Sequence, residues 1–112
     1  MLPRRHKNSG KAAKERKFPT HLQWVRGFAC ICFKHGSCEG KIEAAHVDYA
    51  GGKGMGIKVP DYHAVPACAY HHAESHRIGI KTFEAKYGVS FLAEAQKLAR
   101  VSPHRWRWEE RA

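Results

Sequence analysis

Negative charge is scarce in this sequence. Its 112 residues hold 10 Asp and Glu against 20 Lys and Arg, a formal net charge of +10. Such an excess argues against a cationic partner and points to a polyanion, most simply nucleic acid. Long apolar runs are missing too. No stretch approaches the roughly 18 apolar residues of a membrane-spanning helix, so no membrane partner is expected. The N-terminal MLPRRHKNSGKAAKERKFP is basic but has no apolar core of the kind a secretory signal carries, which sets the expectation of a cytoplasmic protein. Cysteine is sparse, at four residues. In a reducing compartment so few thiols serve metal binding or chemistry more often than disulfides. The nine histidines push the same way.

The length fits one small domain whose limited core calls for a staple. Residues 1–19 read as a flexible basic arm. HLQWVRGFA (21–29) carries a short helical stripe of Leu22, Val25 and Phe28 that ends near Gly27. CICFKHGSCEG (30–40) reads as a knuckle. KIEAAHV (41–47) and YHAVPAC (62–68) read as strands, the second held at an edge by Pro66. Between them, DYAGGKGMGIKVPD (48–61) is a glycine-rich loop. AYHHAESHRIG (69–79) reads as a helix stopped by Gly79, and IKTFEAKYGVS (80–90) as another capped by Thr82. SFLAEAQKLARV (90–101) is a third, with Leu92, Ala95 and Leu98 or Ala99 on its apolar face. Residues 102–112 form a basic tail that alternates Trp106 and Trp108 with Arg105 and Arg107. The expected class is α+β, with the domain proper at 20–101.

Two knuckles, Cys30-x7-Cys38 and Cys68-x2-His71, have the residue types to close one tetrahedral zinc site. Cys32 offers a competing spacing to Cys38 and is taken as the spare thiol. The site's apparent binding free energy, roughly 10–16 kcal/mol, rivals a typical domain's whole stability of about 5–15 kcal/mol. On a helix, successive residues point about 100° apart, so His71 and His72 do not easily serve one metal. His72 and His76 are four apart and share a face, a common platform for a divalent ion. His46, at the end of a strand, is placed to complete that site as a ligand or a base. Glu43 and Asp48 are spare carboxylates nearby.

These residues carry a resemblance. AAHV at 44–47, GMGIKVPD at 54–61 and VPACAYHHAESH at 65–76, in that order after the Cys30 and Cys38 knuckle, resemble the HNH endonucleases, the ββα-metal group, most of all the small ones of phages and prophages. The match spans roughly residues 21–88. It implies a ββα-metal finger with a structural Zn²⁺ and flanking short helices, which hydrolyses DNA phosphodiester bonds in a bacterial host cell. By position, His46 matches the general base, His72 and His76 match ligands of a catalytic divalent ion, and Cys30, Cys38, Cys68 and His71 match the structural zinc set. The catalytic ion would be Mg²⁺ or another divalent ion such as Mn²⁺, Zn²⁺ or Ni²⁺. Asp61 matches an acid that either ligates the ion or orients a histidine. His63 stands where the family has Asn, as a partner that orients His46 or as an ordinary strand residue. Ala45 stands where the family has a metal ligand, which leaves a noncatalytic zinc-knuckle binder of nucleic acid as the alternative. Lys53, Lys58 and Arg77 are placed for phosphate contacts, and a recruiting phage or host protein is a further expected partner.

Overall fold

The computed structural model describes residues 16–50 and 59–109. Residues 1–15, which make up most of the expected arm, together with Lys53 and Lys58, lie outside that set. The architecture is a small α+β domain: a two-stranded sheet with helices around it.

Strand β1 (Ile42–His46) and strand β2 (Ala64–Cys68) run antiparallel, with Ile42 opposite Cys68 and His46 opposite Ala64. The Val47 N–H donates to the His63 carbonyl at 2.9 Å and carries the pairing one step further. The two strands differ in burial. β1 buries only Ala45 fully, whereas all five residues of β2 are buried. A strand covered on both faces reads as a continuous apolar run, and Ala64, Val65, Pro66, Ala67 and Cys68 fit that role. Pro66 lacks an N–H, yet its carbonyl accepts from Ile31 at 2.8 Å and ties the knuckle loop to the sheet.

Helix α1 (Pro19–Val25) precedes the knuckle and buries His21 and Val25. Helix α2 (Ala69–Ile78) follows β2 with no loop, because Cys68 is both the last strand residue and the N-cap. Gly79, at φ 92°, ends α2 and serves as N-cap of α3 (Ile80–Tyr87). The cap expected at Thr82 is therefore corrected: a left-handed backbone that favours glycine makes the break, and Thr82 lies inside the first turn. Helix α4 (Phe91–Val101) starts at Ser90, whose hydroxyl accepts the Ala93 N–H at 3.1 Å. Its apolar face delivers Phe91, Ala95 and Leu98 to the interior. There Phe83 and Phe91 meet edge to face against Ala45, Val47, Val65 and Ala67.

Residues near the two limits of the described set meet in an aromatic cluster. Phe18 is 4% exposed. It packs edge-on against Trp108 of the short helix α5 (Trp106–Glu109), and Trp108 stacks on Tyr62. Trp108 thus packs onto the domain, while Trp106 is half exposed beneath the Arg107 guanidinium. None of the described helices is long and apolar enough to cross a membrane.

Candidate functional site

Two groups of side chains draw on helix α2, one through His71 and the other through His72 and His76. The first is built by the turn from β2 into α2. Cys68 Sγ accepts the His71 N–H at 3.4 Å and lies 3.2 Å from His71 Nδ1. Cys30 Sγ and Cys38 Sγ stand 3.6 and 3.7 Å from the same nitrogen. The four donor atoms all lie within 4.8 Å of one another. A sulfur and a nitrogen bound tetrahedrally to one ion at about 2.3 and 2.05 Å would be about 3.6 Å apart. The donor set therefore fits a metal ion such as zinc. Cys30, Cys38, Cys68 and His71 are the set read from spacing, and Cys32, fully buried, stays outside it.

The electrostatics of these thiols follow from their crowding. Desolvation, with the Cys30 and Cys68 sulfurs alongside, pushes the Cys38 thiol up to about 12. Burial raises Cys68 as well, but N–H donors from His71 and Glu39 outweigh it and leave that thiol lowered. Three sulfurs this close do not all ionise unless a cation compensates them, and a bound cation supplies that compensation. Burial keeps the His71 ring neutral by lowering its pKa, the form a metal requires. Cys32 is pushed up to about 12, mainly by burial and then by its Cys30 neighbour. It behaves as an inert core thiol.

The knuckle is fastened to the sheet at Gly40. The Ala69 N–H donates to the Lys41 carbonyl and the Tyr70 N–H to the Glu39 carbonyl. Gly40 sits at φ 85°, and a Cβ there would meet the Ala69 Cβ at 2.7 Å. Behind the set, the Glu74 carboxylate is 2% exposed and is held by Lys86 and the Tyr87 hydroxyl.

The second group opens on a pocket lined by Ala45, His46, Asp48, His72, Ser75 and His76. His46 ends β1 and its Nε2 lies 2.9 Å from Asp61 Oδ1. The other oxygen, Oδ2, accepts the Phe18 N–H at 2.7 Å. Burial raises the Asp61 pKa, but these two donors outweigh it and hold the carboxyl below its usual range. Across the pocket, His72 Nε2 and His76 Nε2 are 3.2 Å apart. Two imidazole nitrogens on one ion at about 2.1 Å, at angles near 90–110°, would stand about 3.0–3.4 Å apart. The separation of the pair is of that size, and is a hydrogen-bond distance as well. His72 Nδ1 in turn meets Glu43 Oε1 at 2.6 Å.

Of the two partners that the sequence offers His46, the Asp61 carboxylate meets its ring. His63 does not: its Nδ1 is buried without a hydrogen-bond partner, and no hydrogen bond joins its ring to His46. The reason is the turn that leads into β2, closed by the His63 N–H on the Pro60 carbonyl. His63 precedes β2 and its carbonyl pairs with Val47, whereas Asp61 sits in the turn before it. Arg77 is exposed on α2 and reaches the Glu74 carboxylate only at 3.9 Å. Spacing did not single out Glu43 as a partner of His72. The alternation of β1 carried the signal, since Glu43 shares a face with Ala45.

The family model described as "Protein of unknown function (DUF968)" matches residues 7–102. The chain belongs to the DUF968 family. The match takes in both side-chain groups, from the Cys30 and Cys38 knuckle to His76, and stops before Trp106 and Trp108. Among curated proteins and solved structures, none matches the chain.

Proposed function

We propose that this DUF968 chain is a metal-dependent endonuclease of the HNH type that hydrolyses DNA phosphodiester bonds. One observation carries the reading. His46, paired with Asp61 behind it, lines the same pocket as a histidine pair, His72 and His76, whose Nε2 atoms converge. A base and a metal platform facing one cavity are the two parts that phosphodiester hydrolysis needs.

The Asp61 carboxylate accepts from His46 Nε2, so that nitrogen keeps its proton and Nδ1 holds the basic lone pair. Nδ1 would take the proton of an attacking water, with Asp61 fixing the ring while charge develops. His72 and His76 would hold a divalent ion, Mg²⁺ or a relative such as Mn²⁺, which supplies charge stabilisation at the scissile phosphate and the leaving oxygen. Cys30, Cys38, Cys68 and His71 would hold a structural Zn²⁺ that fixes the start of α2, and through it the direction of His72. The net charge of +10 supports a nucleic-acid partner, with the exposed Arg77 side chain on α2 as a phosphate contact.

Plasmid nicking with Mg²⁺ or Mn²⁺, comparing wild type with His46→Ala, tests this. Cleavage by the wild type alone supports it. Retained DNA binding with no cleavage under any divalent ion would instead favour a noncatalytic zinc-knuckle binder, the reading that the ligandless Ala45 suggests.

A further inference from the structure

Glu43 and Ala45 point to the same face of β1, toward helix α2. Ala45 is 1% exposed and lines the pocket with only a methyl group. Glu43 reaches past it to the helix, with Oε1 2.6 Å from His72 Nδ1. A carboxylate can only accept, so Nδ1 carries the proton. In the neutral ring the lone pair then sits on Nε2, the atom 3.2 Å from His76 Nε2.

We propose that Glu43 is the positioning residue of the histidine pair. It holds His72 in the Nδ1–H tautomer and aims Nε2 into the pocket, so β1 serves the site from position 43 although it offers no ligand at 45. The carboxylate lies on the far side of the ring from Nε2, which makes it a partner of the ligand and not a ligand itself. Such carboxylate–histidine pairs fix ring orientation and raise ligand basicity. The effect on metal affinity rests on the metal-site reading above, whereas the tautomer does not.

The zinc-loaded full chain, free of other divalent ions and above the histidine titration range, tests the tautomer by long-range nitrogen–proton NMR correlation. Wild type is expected to show His72 protonated at Nδ1, and Glu43→Ala to return it to the Nε2–H form. Mn²⁺ titration is expected to show a loss of about 10–100-fold in affinity for Glu43→Ala. Glu43→Gln, whose amide oxygen still accepts, should recover part of it. Zinc content and thermal midpoint should be unchanged in both variants. An unchanged tautomer in Glu43→Ala, or equal Mn²⁺ affinity, overturns the positioning role. If His72→Ala and His76→Ala abolish Mn²⁺ binding while Glu43→Ala does neither thing, the metal site stands and the positioning role falls. If wild type binds no second ion, the metal-site reading fails and the effect on affinity fails with it.

Discussion

Asp61 Oδ1 lies 2.9 Å from His46 Nε2, and the same carboxylate is held from its other side by the Phe18 N–H. A carboxylate engaged at both oxygens is a fixed reference for a ring, and is poorly free to swing toward an ion. The N-cap residue of α1 therefore supplies the backbone group that sets the direction of the candidate base.

Asp61→Asn tests that relationship. The amide can turn its NH₂ toward His46 and favour the wrong tautomer. Nicking activity should fall on the order of 10²–10⁴-fold, the range typical of losing such a dyad. DNA affinity in a gel-shift assay should stay near wild type. Unchanged nicking would remove Asp61 from the machinery.

The two neighbouring thiols should separate cleanly. Cys30→Ser is expected to lose bound zinc and most of the cooperative thermal transition, since the metal contributes free energy comparable to the fold's stability. Cys32→Ala should keep one zinc per chain and cost about 1 kcal/mol of packing. Zinc quantification with calorimetry reads both. Zinc loss in the Cys32 variant alone would reverse the assignment.

His21 predicts an acid dependence of stability. It is fully buried, its Nδ1 lies 2.9 Å from Ser102 Oγ, and its Nε2 has no partner. Burial first, then the nearby His104, lowers its pKa from 6.5 to about 4. The unfolded chain thus takes up a proton before the folded one does. The ring's contribution is complete above about pH 6.5, shrinks as pH falls toward 4, and is gone below that, a change of about 3 kcal/mol. Urea midpoints across this window should fall less steeply in His21→Gln than in wild type. Parallel slopes would refute the assignment.

Gly40→Ala should damage the knuckle without touching a donor atom. Its Cβ would press on Ala69, and its φ of 85° suits glycine. A loss of about 1–3 kcal/mol and a faster release of metal to a chelator are expected. A variant as stable and as slow to release as wild type would argue against a tight approach there.

Much of this arrangement was legible from spacing. Cys68-x2-His71 announces a turn that faces its own start, and the 3.6-residue period separates His71 from its neighbour His72. The strands announced themselves by short apolar runs, and Gly79 by its position after a helical segment. Other features depend on contacts distant in sequence, which local periodicity does not encode. Whether Asp61 or His63 meets His46 is decided by the turn that leads into β2, where the His63 N–H donates to the Pro60 carbonyl. The Thr82 cap failed because glycine's left-handed conformation took the junction. The alternation of Trp106 and Trp108 with Arg105 and Arg107 does not separate the two indoles, and the contacts with Phe18 and Tyr62 show that Trp108 packs on the domain.

The contact of Phe18 with Trp108 has a mechanical meaning. Tension applied between positions 16 and 109 would load this aromatic clasp first, because it closes the described chain near both of those points. The cysteine–histidine cluster, spanning residues 30–71, lies inside the loop that the clasp closes and is shielded from the load. The Phe18 hold on Asp61 sits at the clasp itself. A force trace should therefore show an early, weak rip that unlatches the dyad, followed by a stronger one that chelators abolish. Under load, the His46–Asp61 pair would come apart before the cysteine–histidine cluster does.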